Sequence, residues 1–231
     1  MVLNLWKKVE DDYFLRHTAD EIAWQTQGVL KHKDKNTPLV LVNKKTSRGN
    51  SLIFVHMPNS KNIFSTSTRA IEKLGLNIVD ARIITSNNGF ILDTFAVLES
   101  DYKGIKTEER CNEIKSRIKK ALTSIKEKPE PASWIENRQI KNFKLPNLVK
   151  FETDKKNNRT VMEVNTIDRP GVLSRISMAM DSCGANLQGA KIATYGERVE
   201  DIFYLVDDEN NAIDNPIKLE CLESSILETL S

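Results

Sequence analysis

The feature that most constrains this chain is an internal repeat. Adding 109 to a residue number takes Gly75 to Gly184 and Asn77 to Asn186, and after one deletion Phe95 meets Phe203. Such a register, held over about sixty residues, indicates two copies of one structural unit in tandem. The other matched pairs are Leu39 and Leu148, Val40 and Val149, Val55 and Val164, Ser65 and Ser174, Ala70 and Ala179, Ala81 and Ala190, Ile83 and Ile192, and Thr85 and Thr194.

Each copy carries the pattern of an α+β unit. In the second copy an apolar strand around Val164 leads through a turn into an amphipathic helix that Gly184 ends. Two more strand-like runs and a last amphipathic helix complete βαββα, most of a ferredoxin-like βαββαβ unit. The first copy predicts a hairpin at 38–43 and 51–57, a helix at 62–74, strands at 77–86 and 91–98, and a helix at 108–125.

Composition narrows the class of partner. The formal net charge is only +2, and the basic residues alternate with acidic ones, so the balance predicts neither a nucleic-acid nor a membrane partner. No apolar run approaches the length of a membrane span. Cys111, Cys183 and Cys221 lie far apart without CxxC spacing, which favours three reduced thiols and a cytoplasmic protein.

The N-terminal residues predict two short helices. Thr18 followed by Glu21 is a capping box that starts the second of them. His17 lies near Asp11 and Asp12, which leaves a metal ligand as one alternative. A lone histidine is more often a cap or surface residue, and we expect no metal site here.

Three parts of the sequence resemble known families. Asp168-Arg169-Pro170-Gly171-Val172-Leu173, with Ala185-Asn186-Leu187 after the helix, resembles the ACT domain, a regulatory module that binds amino acids. The run 190–204, AKIATYGERVEDIFY, resembles the last ACT domain of the bifunctional enzymes that uridylylate the nitrogen-signalling protein PII and remove the uridylyl group. Residues 11–17 and 22–24 resemble the segment between the catalytic part of those enzymes and their ACT domains.

This resemblance implies a fold of two tandem ACT domains with N-terminal helices. We predict a helical segment at 1–35 that links to missing catalytic domains, a first ACT domain at 38–126, a linker at 127–146 and a second ACT domain at 147–231. The first copy has Asn59-Ser60-Lys61-Asn62 opposite the Asp-Arg-Pro-Gly turn. It therefore lacks the Pro-Gly pair of the family's ligand loop.

The chain carries no recognisable catalytic centre. Nucleotidyl transfer in the resembled enzymes uses a Gly-Ser turn with paired aspartates, and uridylyl removal uses His-Asp pairs; neither dipeptide occurs in the sequence. A P-loop, a GxSxG elbow and a GxGxxG fingerprint are also missing. We expect no cofactor in this chain, and Mg²⁺ in the catalytic domains of the whole enzyme.

An amino-acid site is predicted at the start of the helix in the second copy. Free backbone N–H groups and the helix dipole favour a carboxylate there, and Gly171 lets the ligand approach the backbone beside Val172 and Leu173. The family's ligand loop implies contacts from Asp168 and Arg169. Asn186 offers a donor and an acceptor to a side-chain amide, and its equivalent Asn77 would complete a site where the units abut. The alternative is that these residues only cap helices and shape turns.

The resemblance implies a glutamine sensor. Glutamine would bind the ACT pair, suppress UTP-dependent uridylylation of PII and promote its reversal, with a possible homodimer through the ACT domains. Two alternatives stay open at this point. One is a free-standing tandem ACT regulator without an enzyme attached, and the other is a dimerisation module without a ligand.

Overall fold

The computed structural model describes residues 5–9, 11–44, 46, 48–125, 146–167, 171–195 and 198–230. Within them it contains six helices and eight strands. The helices are α1 (Asp11–Arg16), α2 (Ala19–Lys31), α3 (Ile63–Lys73), α4 (Glu108–Thr123), α5 (Val172–Ser182) and α6 (Pro216–Leu230). The strands are β1 (Leu39–Asn43), β2 (Ser51–Pro58), β3 (Asn77–Ile84), β4 (Phe90–Leu98), β5 (Leu148–Asp154), β6 (Arg159–Ile167), β7 (Asn186–Tyr195) and β8 (Arg198–Val206).

All eight strands form one antiparallel sheet in the order β1-β2-β4-β3-β7-β8-β6-β5. The first four make unit 1 and the last four make unit 2. Equivalent strands, β3 and β7, pair across the middle, and Arg82 faces Lys191 there. Because Lys191 is the residue 109 positions after Arg82, a pseudo-two-fold axis passes through this pair. We call the contact of β3 with β7, and of the helices above them, the seam.

The two units have the same strand registers, which confirms the tandem α+β fold that the repeat predicted. Leu39 pairs with His56 in unit 1, and Leu148 pairs with Asn165 in unit 2. Both units run ββαββα. In a βαββαβ unit the last strand lies at one edge of the sheet. Here the first strand of each unit, β1 or β5, takes that edge position. Each unit thus completes its four-stranded sheet from its N-terminal side.

The main core lies between the sheet and the helices α3 to α6. Phe64 of α3 packs 6.3 Å from Phe95 in its own unit and 6.5 Å from Phe203 in the other, measured between ring centroids. Phe95 and Phe203 are fully buried. One aromatic side chain therefore fills space in both units, and burial of apolar surface favours their association.

The predicted N-terminal helices, α1 and α2, cover the other face of unit 1. Thr18 and Glu21 make the capping box. Beneath them is a buried polar network, in which Tyr13 donates to Gln25 and the ring nitrogens of His17 bond to Tyr13 O at 2.8 Å and Thr94 Oγ1 at 3.1 Å. Burial lowers the pKa of His17 to about 4, so its ring is neutral at pH 7. Both nitrogens of His17 serve the packing of these helices.

The expectation of three reduced thiols is wrong for two of them. Cys183, directly after α5, forms a disulfide with Cys221 of α6, and Cys111 is a buried free thiol. The two half-cystines are 38 positions apart, and only the packing of α6 beside α5 brings them together.

Of the predicted linker 127–146, all but Pro146 lies outside the described residues.

Candidate ligand-binding site

The predicted site residues at the start of α5 are only partly described. Asp168 and Arg169 lie outside the described residues. Gly171 precedes α5 with φ of +86°, in the left-handed region that favours glycine, and makes no side-chain cap. Val172 is buried and Leu173 is half-buried. The first N–H groups of a helix have no partner within the helix, and Gly171 supplies no side-chain acceptor for them.

A carboxylate from the other unit lies at this helix start. Ser174 Oγ donates to Glu72 Oε2 at 2.6 Å, and Glu72 belongs to the last turn of α3. A Cβ on Gly171 would collide with Glu72 Oε1, so the glycine makes room for this carboxylate. The N-terminal end of α5 is thus a place where the fold already holds an anion, as the helix dipole favours.

The equivalent contact occurs at the other end of the helix pair. Ser65 Oγ, in the first turn of α3, donates to Asp181 Oδ2 of α5 at 2.5 Å. Burial raises the pKa of Asp181, and the bond from Ser65 opposes that shift. Ser65 and Asp181 are the counterparts of Ser174 and Glu72 under the 109-residue shift. Halfway between the two contacts, Thr68 Oγ1 lies 3.4 Å from its counterpart Ser177 Oγ.

Asn186 does not lie with Gly171. The two residues flank opposite ends of α5, whose eleven residues span about 16 Å at 1.5 Å per residue. Asn186 Nδ2 donates to Asp207 O at 3.1 Å and to Asp208 Oδ1 at 3.0 Å. Asp208 in turn pairs with Lys61 at 3.0 Å, so Asn186 belongs with the start of α3.

Asn77 lies at the opposite end of the seam from Asn186. It opens β3 four residues after Lys73, the last residue of α3, so it follows the same helix end that carries Glu72. The seam therefore groups Gly171 with Glu72 and the Asn77 end of unit 1. Asn77 and the start of α5 thus lie at the same end of the seam, and a role of Asn77 in a ligand site stays a prediction.

Sequence reasoning missed Glu72 and Asp181. A signal was present, because an acidic side chain in the last turn of a helix opposes the helix dipole, and both copies carry one at the same position. A feature that is locally unfavourable in both copies indicates a contact outside the helix.

Within the part of the chain that the structure describes, no group of three or more His, Cys, Asp or Glu side chains could hold a metal ion. Nor is any described helix long and apolar enough to cross a bilayer.

Two family models match parts of the chain. The model described as "Uridylyltransferase GlnD fifth domain" matches residues 1–28, the region of α1 and most of α2. The model described as "Plant bHLH transcription factor, ACT-like domain" matches residues 42–123, which covers most of unit 1. These matches agree with N-terminal helices followed by an ACT-type unit.

Relatives extend over the whole chain. The bifunctional uridylyltransferase/uridylyl-removing enzyme of Pseudomonas aeruginosa (strain LESB58) is 40% identical over 232 residues, which cover 99% of this chain and 26% of that enzyme. The same enzyme of Stutzerimonas stutzeri (strain A1501) is 38% identical over 231 residues, covering 98% and 26%. The chain is a tandem ACT region of this enzyme family.

The region spans about a quarter of the length of the uridylyltransferase/uridylyl-removing enzymes that it matches. Among solved structures, aspartate kinase from Synechocystis aligns with a TM-score of 0.38 at 14% identity, over 79% of this chain and 26% of that one. The family relationship therefore rests on the sequence relatives.

Proposed function

We propose that this chain is the regulatory, glutamine-sensing part of an enzyme that uridylylates PII with UTP and removes the uridylyl group again. The observation that supports the proposal best is the carboxylate of Glu72 at the start of α5. An amino-acid ligand carries a carboxylate of the same chemistry, which the same helix start would favour. PII, the Mg²⁺-dependent chemistry and a cytoplasmic location belong to this proposal through the whole enzyme.

The proposed ligand takes the place of the Glu72 carboxylate. Ser174 Oγ and the first N–H groups of α5 would then bind the ligand carboxylate, and we propose that Asn77 binds the ligand's side-chain amide. Since Glu72 belongs to unit 1 and Ser174 to unit 2, ligand exchange changes a contact between the units. A ligand shifts an equilibrium only by its differential affinity for the two arrangements, typically about 1–3 kcal/mol.

Isothermal titration of this chain with glutamine tests the proposal, with glutamate and asparagine as matched ligands. We expect saturable heat with glutamine at millimolar concentration or below, and weaker binding of glutamate because its side chain cannot donate from an amide. Absence of binding heat at millimolar glutamine would contradict the sensor function. Binding of a different amino acid alone would keep the sensor and change its ligand.

A homodimer through the ACT units is part of the proposal as well. The two edges of the eight-stranded sheet are β1 and β5, and edge strands carry unpaired backbone groups that another chain can use. Light scattering with and without glutamine measures the mass of the particle. A dimer that forms while the chain ignores every amino acid would instead favour a dimerisation module.

A further inference from the structure

Arg16 is the last residue of α1, and its side chain reaches the seam. Its Nη2 atom donates to Ala190 O at 2.7 Å and approaches Ala81 O at 3.4 Å. The Arg16 side chain is only 14% exposed, so these bonds form away from bulk water. A guanidinium is suited to this role because it presents several donors in a rigid plane.

The two carbonyls are the same group in the two units. Ala190 is the residue 109 positions after Ala81, and each directly precedes one member of the Arg82–Lys191 pair on the pseudo-two-fold axis. One nitrogen of Arg16 therefore spans the axis and holds one carbonyl from each side of it. The repeat does not anticipate this contact, since Arg16 lies before the first matched pair, Leu39 and Leu148.

The backbone at Arg16 is itself held in place. Arg82 Nη1 donates to Arg16 O at 2.7 Å and to Glu21 Oε2 at 2.8 Å. Glu21 also closes the capping box at the start of α2. The corner between α1 and α2 is thus tied to β3 through Arg82 and to β7 through Arg16.

We propose that Arg16 is the positioning residue through which α1 and α2 respond to the spacing of the two units. Hydrogen bonds from N–H to a carbonyl are about 2.7–3.2 Å long, so the Ala190 contact is a short bond and the Ala81 contact a long one. A shift of one unit against the other by about an ångström would break the first or shorten the second. The corner between α1 and α2 then keeps its hydrogen bonds to one unit and loses its hydrogen bond to the other. This inference rests on the proposed function, because it names how occupancy of the ligand site reaches the residues that precede the ACT units.

Hydrogen exchange of this chain, followed by mass spectrometry, tests the inference in two arms. Without ligand, Arg16→Ala should raise amide exchange in α1, α2 and the β3–β7 ladder about tenfold, the size expected for loss of a charge-assisted hydrogen bond. Arg110→Ala is the matched control, because Arg110 Nη2 also donates to a backbone carbonyl, Leu74 O at 2.6 Å, but within unit 1. The Arg110→Ala variant should leave the exchange rates of the β7 amides unchanged.

In the second arm, saturating glutamine should change exchange in α1 and α2 of the parent chain. Arg16→Lys keeps the charge and the fold but not a planar donor to both carbonyls, and it should abolish that response while glutamine affinity stays within about twofold. An undiminished response in Arg16→Lys, or unchanged β3–β7 exchange in Arg16→Ala, would overturn the inference. If the parent chain binds no glutamine, the proposed function fails, and the ligand-free arm alone decides the role of Arg16.

Discussion

The helix starts of the two units adopt the same backbone from different sequences. Asn62 before α3 has φ of +64°, and Gly171 before α5 has φ of +86°, and neither helix has a side-chain cap. Asparagine is one of the few residues that enter the left-handed region readily, so unit 1 keeps the turn without the Pro-Gly pair. Asparagine can therefore supply the same left-handed conformation as glycine directly before the helix, and Gly171 in addition leaves space for the Glu72 carboxylate close to its Cα.

The units also differ in how their outer helix is fastened. In unit 1, Arg110 of α4 bonds to Leu74 O at the end of α3 and pairs with Glu99 at 2.9 Å. In unit 2, the Cys183–Cys221 disulfide joins the end of α5 to α6. Since Leu74 and Cys183 are equivalent positions, the same corner of the fold is held by polar contacts in one unit and by a covalent bond in the other.

The largest expected effect comes from breaking that covalent bond. A disulfide that closes a loop of 38 residues stabilises a chain by about 4 kcal/mol in the chain-entropy account. Urea unfolding with and without a phosphine reductant should show a loss of about 2–4 kcal/mol, whereas Arg110→Ala should cost about 1–2 kcal/mol. Cys221→Ser should be insensitive to the reductant. If the reductant lowers the free energy of unfolding by no more than Arg110→Ala does, the disulfide does not fasten the outer helix of unit 2 more strongly than polar contacts fasten that of unit 1.

A buried carboxyl gives the core of unit 1 its own pH dependence. Burial raises the pKa of Asp93 to about 8, against the bond that it accepts from the Ile84 backbone. The folded chain therefore retains a proton that the unfolded chain releases near pH 4, and stability falls as the pH rises from about 4 towards 8. Asp93→Asn should be more stable than the parent by about 1–3 kcal/mol at pH 9, with a gain that shrinks towards pH 4.

Thermal unfolding across this pH range measures the effect. Asp214→Asn changes an exposed carboxyl and serves as the control, with no pH-dependent gain expected. A constant difference between Asp93→Asn and the parent from pH 4 to pH 9 would contradict a protonated Asp93 in the folded chain.

A smaller effect separates the two helix starts. Gly171→Ala should destabilise the chain by about 1–2 kcal/mol, because a Cβ is disfavoured at this φ, whereas the end of the flexible Glu72 side chain can move aside. Asn62→Gly should change the free energy of unfolding by about 0.5 kcal/mol or less, since asparagine already tolerates its conformation. Urea unfolding compares the two variants. Equal losses would contradict the backbone strain expected of an alanine at position 171.

The elements of both units could be predicted from the sequence because their signals are local or repeated. Helix α4 was predicted at 108–125 and ends at Thr123, and the strand from Asn77 was predicted at its observed start. Asn88-Gly89 marks the turn before β4, and the 109-residue register fixes unit 2 from unit 1. The apolar periodicity and the turn residues that predict an element lie within that element or a few positions from its ends.

The seam could not be predicted in the same way. The pairing of β3 with β7, the contact of Glu72 with Ser174 and the reach of Arg16 to Ala190 all join residues about a hundred or more positions apart. Nothing local in the sequence distinguishes these partners from other acids, serines or carbonyls. Among the spatial relations at the seam, only the separation of Gly171 from Asn186 can be derived from the sequence, because it follows from the length of the helix between them.

In the proposed site, an amino-acid carboxylate binds at the start of α5 in competition with Glu72. Calorimetric titration of the parent chain, Glu72→Gln and Asp181→Asn with glutamine measures this competition. Because the neutral amide competes less well for Ser174 and the helix start, Glu72→Gln should bind glutamine about three- to tenfold more tightly, a coupling of roughly 1 kcal/mol. Asp181→Asn, at the other helix start, should bind like the parent. Equal or weaker binding by Glu72→Gln would contradict this competition.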